Sequence, residues 1–226
     1  MTTIRAAVLA ASCLMAMSSA QAQFSSLGGL AGLGASLFSA TQGAGAGGDV
    51  DSFVNKSAAL SALAGKSVAA INAAFSTQEQ LLAKRAALAA IEQIADPKTR
   101  QARFAELYKA ESAETQRLLD SGEMERRMRA LDADKKKLIA QALFNFGLGS
   151  LQAVDLGRDG QLLLARAGAN PLELVRMVPV KDAIPLLTRV ALDASGFFVG
   201  ISRLARGADI AIPAAQAGAK PEDIRV

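Results

Sequence analysis

From Asp49 almost to the end of the chain, apolar residues recur at the spacing of a helix face, and no stretch alternates convincingly as a half-buried strand does. Phe53, Leu60, Leu63, Val68, Ile71 and Phe75 fall at a period close to 3.6, while Asn55, Lys56, Ser61, Lys66 and Asn72 fill the other positions. No repeat at solenoid spacing is present. The expected fold is therefore all-α, a single multi-helix bundle of roughly five to seven helices. Alanine dominates the apolar residues and aromatics make up 4% of the chain. Helices of this kind pack closely, but each contact buries little area.

Punctuation divides the pattern. Ser76 followed by Glu79 fits a capping box, which opens a second helix with Leu81, Leu88 and Ile91 inward and an end by Ala95. Asp96-Pro97 reads as cap and first residue of a third, carrying Phe104, Leu107, Tyr108, Leu118 and Leu119, with a stop at Ser121-Gly122. A fourth helix runs from Glu123 past Lys137 into Leu138 to Val154, with Met124, Met128 and Leu131 starting its apolar side. Leu138 to Val154 carries no charge, but Gln141, Asn145 and Gln152 favour a buried helix over a transmembrane one. Asp159-Gly160 marks a turn, Gln161 to Ala167 a short helix, and Asn170-Pro171 with Glu173 another start. Pro179 interrupts, and Asp182 caps a last long helix that reaches Gly207 with Pro185 in its first turn.

The first residues set the compartment. Arg5 precedes the apolar stretch Ala6 to Met17, and Ala20-Gln21-Ala22 has the small-x-small pattern of a signal-peptidase site. Cleavage after Ala22 would export the protein to the periplasm or beyond and remove Cys13, the only cysteine. Residues 23–48 form an uncharged Gly/Ala/Ser-rich segment, a linker or a membrane-contacting stretch. Residues 49–210 form the helical domain, and 211–226 a flexible tail. Of 25 basic side chains Arg5 leaves with the leader, so 24 remain against 21 acidic ones. The signs are interleaved, and no nucleic-acid partner is implied.

Histidine and tryptophan are absent. Zinc sites and imidazole-dependent triads are thereby excluded or nearly so, and no cofactor or metal is expected. Gly65-Lys66-Ser67 lacks the earlier glycine and the strand of a phosphate loop. Asp155-Leu156-Gly157-Arg158-Asp159-Gly160 resembles the start of a calcium loop, but Gly157 and Arg166 stand where ligands are needed, so a turn is the simpler reading. A pair of carboxylates cleaving cell-wall glycan would be a third possibility, poorly matched by a chain with one tyrosine.

Two Phe and Gly clusters are the most unusual local features. They are Phe144-Asn145-Phe146-Gly147-Leu148-Gly149 and Gly196-Phe197-Phe198-Val199-Gly200. Glycine beside phenylalanine gives either tight packing of two core helices or a hollow for an acyl chain. Phe144, Phe146, Gly147, Gly196, Phe197, Phe198 and Gly200 are accordingly candidate ligand-binding residues. Arg189 and Arg203, with Arg166 and Arg176, are candidates for an anionic head group, although Arg189 and Asp193 also stand four residues apart as an ion pair. These features point to an exported, non-enzymatic helical protein. It would bind a lipid-like ligand or an envelope partner through its hydrophobic C-terminal half, or alternatively act as an envelope scaffold without a cavity.

Overall fold

The computed structural model describes residues 46–168, 171–216, 219–224 and 226. The leader, its cleavage site and residues 23–45 lie outside them. Among the described residues there are eight helices and no strand. They are α1 (Ala46–Ala74), α2 (Gln78–Glu92), α3 (Pro97–Asp120), α4 (Glu123–Met128), α5 (Ala133–Ala167), α6 (Pro171–Arg176), α7 (Val178–Ser195) and α8 (Phe197–Gly207).

α1 and α5 are the two central helices, of 29 and 35 residues, or about 43 and 52 Å at a rise of 1.5 Å per residue. α3 packs along α1, α7 along α5 and the start of α1, and α8 turns back over α7, α5 and α3. The α5 positions Ile139, Ala142, Phe146, Ala153, Leu156, Gly160, Leu163 and Ala167 are all buried, one stripe along the helix. Small residues let these helices approach. A Cβ at Gly160 would stand 3.0 Å from the Phe53 ring, and one at Gly65 would stand 3.1 Å from the Phe104 carbonyl oxygen.

Those contacts correct two expectations. Asp159-Gly160 is not a turn and Gln161 to Ala167 is not a separate helix, because both belong to α5. Gly160 is needed for close packing on α1 rather than for backbone freedom. The calcium-like run from Asp155 is therefore helical, not a loop, and Gly65-Lys66-Ser67 lies inside α1.

Other boundaries shift for local reasons. The capping box is Thr77 with Gln80, one residue later than Ser76 with Glu79: Gln80 N donates to Thr77 Oγ1 at 3.3 Å, and Thr77 N donates to Gln80 Oε1 at 2.9 Å. Ser76 instead closes α1, its hydroxyl donating to the Asn72 carbonyl at 2.9 Å. Asp96 caps α3 as expected, accepting from Thr99 N at 2.7 Å, with Pro97 in the first turn. Gly122 takes a φ of +66°, the left-handed turn between α3 and α4. The helix expected from Glu123 to Val154 is two helices, since Asp132 accepts from Lys135 N at 2.8 Å and starts α5 afresh.

Pro179 opens α7 instead of interrupting, its missing amide falling where a helix start has no partner for one. Asp182 is then inside α7 rather than its cap, and Pro185 lies in the helix interior on the exposed side. The last long helix is also two, broken at Gly196 with φ −88° and ψ −111°. In the stretch 211–226, expected as a flexible tail, the described residues form no helix, and Ile212, Ile224 and Val226 are packed on the core.

Candidate functional site

The two Phe and Gly clusters do meet. Phe146, fully buried on α5, lies with its ring centroid 5.4 Å from both Phe197 and Phe198 at the start of α8. On its other side Tyr108 of α3 stacks at 6.4 Å with planes 7° apart. These separations are those of direct ring contact. The space that Gly147 leaves is lined by the Phe198 ring and Ala215, each 3.4 Å from where a Cβ would stand. Gly200 faces Leu119 at ordinary contact distance, and Gly196 makes the break between α7 and α8. Phe144 is buried on α5, two residues and about 200° around the helix from Phe146.

Polar groups brace this cluster. Tyr108 donates its hydroxyl to Asp193 Oδ2 at 2.7 Å, and Arg189 Nε donates to the same oxygen at 2.9 Å. Burial, and then the hydrogen bond to Asp193, push the Tyr108 hydroxyl well above its ordinary pKa. Arg189 thus has its partner on the next turn. Arg166 on α5, Arg176 on α6 and Arg203 on α8 are exposed at the surface.

A second network had no signal in the sequence. Asn72 of α1 donates to the Glu111 carbonyl at 2.8 Å and to its carboxylate at 2.6 Å, Thr115 donates to Asn72 Oδ1 at 2.9 Å, and Lys84 of α2 pairs with Glu111. These residues lie up to 43 positions apart, and no spacing rule links them. The network ties α1, α2 and α3 together around a buried carboxylate.

The least satisfied surface is the outer side of α7 and α8. Val180, Ala183, Leu187 and Val190 face the core, while Val178, Pro185 and Leu192 point outward at intervals of seven, with Leu192 62% exposed. Leu174 and Val175 of α6 and Val199 of α8 are exposed apolar residues as well, Val175 being 74% exposed. Arg176, Lys181, Arg189, Arg203 and Arg206 are exposed, against Asp182 as the one exposed acid from Leu174 to Gly207. By length and composition alone Val178–Gly207 is apolar enough to cross a bilayer. Its break at Gly196 and its inward side in the core set it instead along the surface.

Among the described residues no group of three or more Asp, Glu, His or Cys could hold a metal ion. Burial raises the Asp159 carboxyl from its ordinary pKa, Lys56 opposing the rise and Asp155 adding to it. These two acids stand one turn apart on one helix, not on opposite walls of a cleft as glycan cleavage requires. A groove of ≈ 390 Å³ lies elsewhere, between Leu63 and Lys66 of α1, Asn145 and Gln152 of α5, and the segment Pro221 to Ile224. Compared with family models, curated proteins and solved structures, the chain matches none.

Proposed function

We propose that this is an exported, non-enzymatic helical protein that docks on an anionic lipid surface of the cell envelope through the outer face of α7 and α8. The observation that carries the reading is the row Val178, Pro185 and Leu192, exposed on a helix whose opposite side is fully used by the core. The same stretch of chain exposes Arg176, Lys181, Arg203 and Arg206 in addition to Arg189, which is paired with Asp193, against Asp182 as its one exposed acid, a basic excess that suits an interfacial helix. Burying one exposed Leu or Val gains on the order of 1.5–3 kcal/mol when complete, and each Lys or Arg near an anionic surface adds about 1 kcal/mol. A few of each suffice for micromolar binding.

Direct ring contact around Phe146 favours this reading over a ligand held between the aromatic clusters. Flotation of the purified protein with vesicles tests it. Vesicles containing phosphatidylglycerol should carry the protein up, and purely zwitterionic ones much less. Leu192→Asp and Val178→Asp, both at exposed positions that the fold does not need, should each lower binding about tenfold or more. Binding that ignores both substitutions, or none to anionic vesicles, would refute the proposal.

A further inference from the structure

α2 is seated differently from the other helices. Of its fifteen residues only Leu88 is buried, whereas α8 buries four of eleven. Leu88 meets Ala69 of α1 and Phe104 of α3 in a small cluster apart from the main core. Gly65 of α1 lies against Phe104, and Asn72, two turns on, bonds to Glu111 and Thr115. α1 and α3 therefore run parallel where they touch, and α2 is the return stretch laid over the groove between them. Its remaining ties are polar: Lys84 to Glu111, Glu92 to Lys66 of α1, and Arg85 Nε to the Val226 carbonyl.

The joint between α1 and α3 does not depend on that seat. Asn72 holds Glu111 and Thr115 directly, and α2 adds only Lys84. The capping box of Thr77 and Gln80 lies within α2's own first turn, and the Asp96 cap within α3's, so movement of α2 breaks neither. A buried ion pair returns much of its attraction as desolvation, and both partners here regain water on parting, so Lys84 and Glu111 fix where α2 sits more than how firmly. The exposed pair of Lys66 and Glu92 adds little. We propose that α2 is a latched lid that lifts as a unit from the groove between α1 and α3, baring Phe104 and Glu111 while the rest of the bundle stays folded. An element with few buried apolar contacts opens well before the whole molecule does. Once lifted, a helix of fifteen residues is marginal in water and exchanges its amides. The lid uses no residue of the docking face on α7 and α8.

Ala69, on the floor of the groove, and Ala142, in the main core, are 1% and 0% exposed and provide the test. In a full-length Cys13→Ser background, one protein carries Ala69→Cys and another Ala142→Cys. Under native conditions a maleimide should label position 69 about a hundredfold or more faster than position 142. Lys84→Ala should quicken labelling at 69 about tenfold, because it leaves Glu111 unpaired beneath α2. Added salt should quicken it too, with position 142 unchanged in each case. Hydrogen exchange of the unaltered chain reads the same motion independently, the amides of α2 exchanging ahead of those of α1 and α5. Equal labelling at the two cysteines, or α2 amides as protected as those of α5, would mean that α2 opens only when everything unfolds, and overturns the lid. Equal acceleration of both sites by Lys84→Ala overturns it as well, and a rate at 69 indifferent to both Lys84→Ala and salt removes the latch.

Discussion

Gly157 and Gly160 lie almost one turn apart on α5, and their surroundings assign them opposite roles. A Cβ at Gly157 would meet nothing within 4 Å, whereas at Gly160 it would stand 3.0 Å from two carbons of the Phe53 ring. Gly157→Ala should therefore stabilise the protein by up to about 1 kcal/mol through helix propensity. Gly160→Leu should cost about 1–3 kcal/mol by forcing α1 away from α5. Urea unfolding midpoints check both signs. From the sequence Gly160 looked like a turn, because a glycine after an aspartate carries the same letters whether it bends the chain or admits a ring.

Tyr108 allows a second test at this scale. It is the only tyrosine, and no tryptophan obscures it. Its folded pKa is raised, so the stability it contributes is complete below the unfolded value of about 10 and is lost as pH rises above it. Tyrosinate absorbance should stay absent past pH 10 and appear only together with loss of helix by circular dichroism. Ordinary titration near pH 10 in a fully helical protein would show that the bond to Asp193 is not made. That Tyr108 faces the core was legible from its place beside Phe104 and Leu107. Its partner was not, since Asp193 lies 85 residues away and Arg189 already explained the aspartate locally.

Among the elements, starts were easier to read than breaks. Asp96-Pro97 fixed α3 because a capping aspartate and a first-turn proline act within four residues. The gap before α5 was hidden, since Met124, Met128 and Leu131 keep helical spacing through it while Asp132 restarts the helix. Asp132→Ala should therefore cost about 1 kcal/mol and speed hydrogen exchange at Lys135, whose amide it holds. Exchange at Lys135 unaffected by the substitution would mean that the helix is continuous there. The break at Gly196 was concealed in the same way by Val190, Phe197 and Ile201, which stay on the inner side of both α7 and α8. Pro179 was misread because proline either ends a helix or begins one.

For the molecule as a whole, helical periodicity sufficed to give the fold class. The pairing of α1 with α5 at the centre was not legible, because it depends on small residues meeting across about 100 positions of sequence. The Phe and Gly clusters were found in the sequence and do come together, but as rings in contact. The outward row on α7 was missed because the same apolar letters served the core. Only the helix phase, set by Val180, Leu187 and Val190 facing inward, shows which of them are left over.

That surplus is the basis of the docking proposal, and two leucines make its most direct test. Leu82 on α2 and Leu192 on α7 are 55% and 62% exposed, so a dye at either starts in nearly the same solvent. In a Cys13→Ser background an environment-sensitive fluorophore is attached at Leu82→Cys or at Leu192→Cys, and anionic vesicles are added. The account predicts a blue shift at position 192 and none at 82. Equal shifts at both, or a shift at 82 alone, would contradict it.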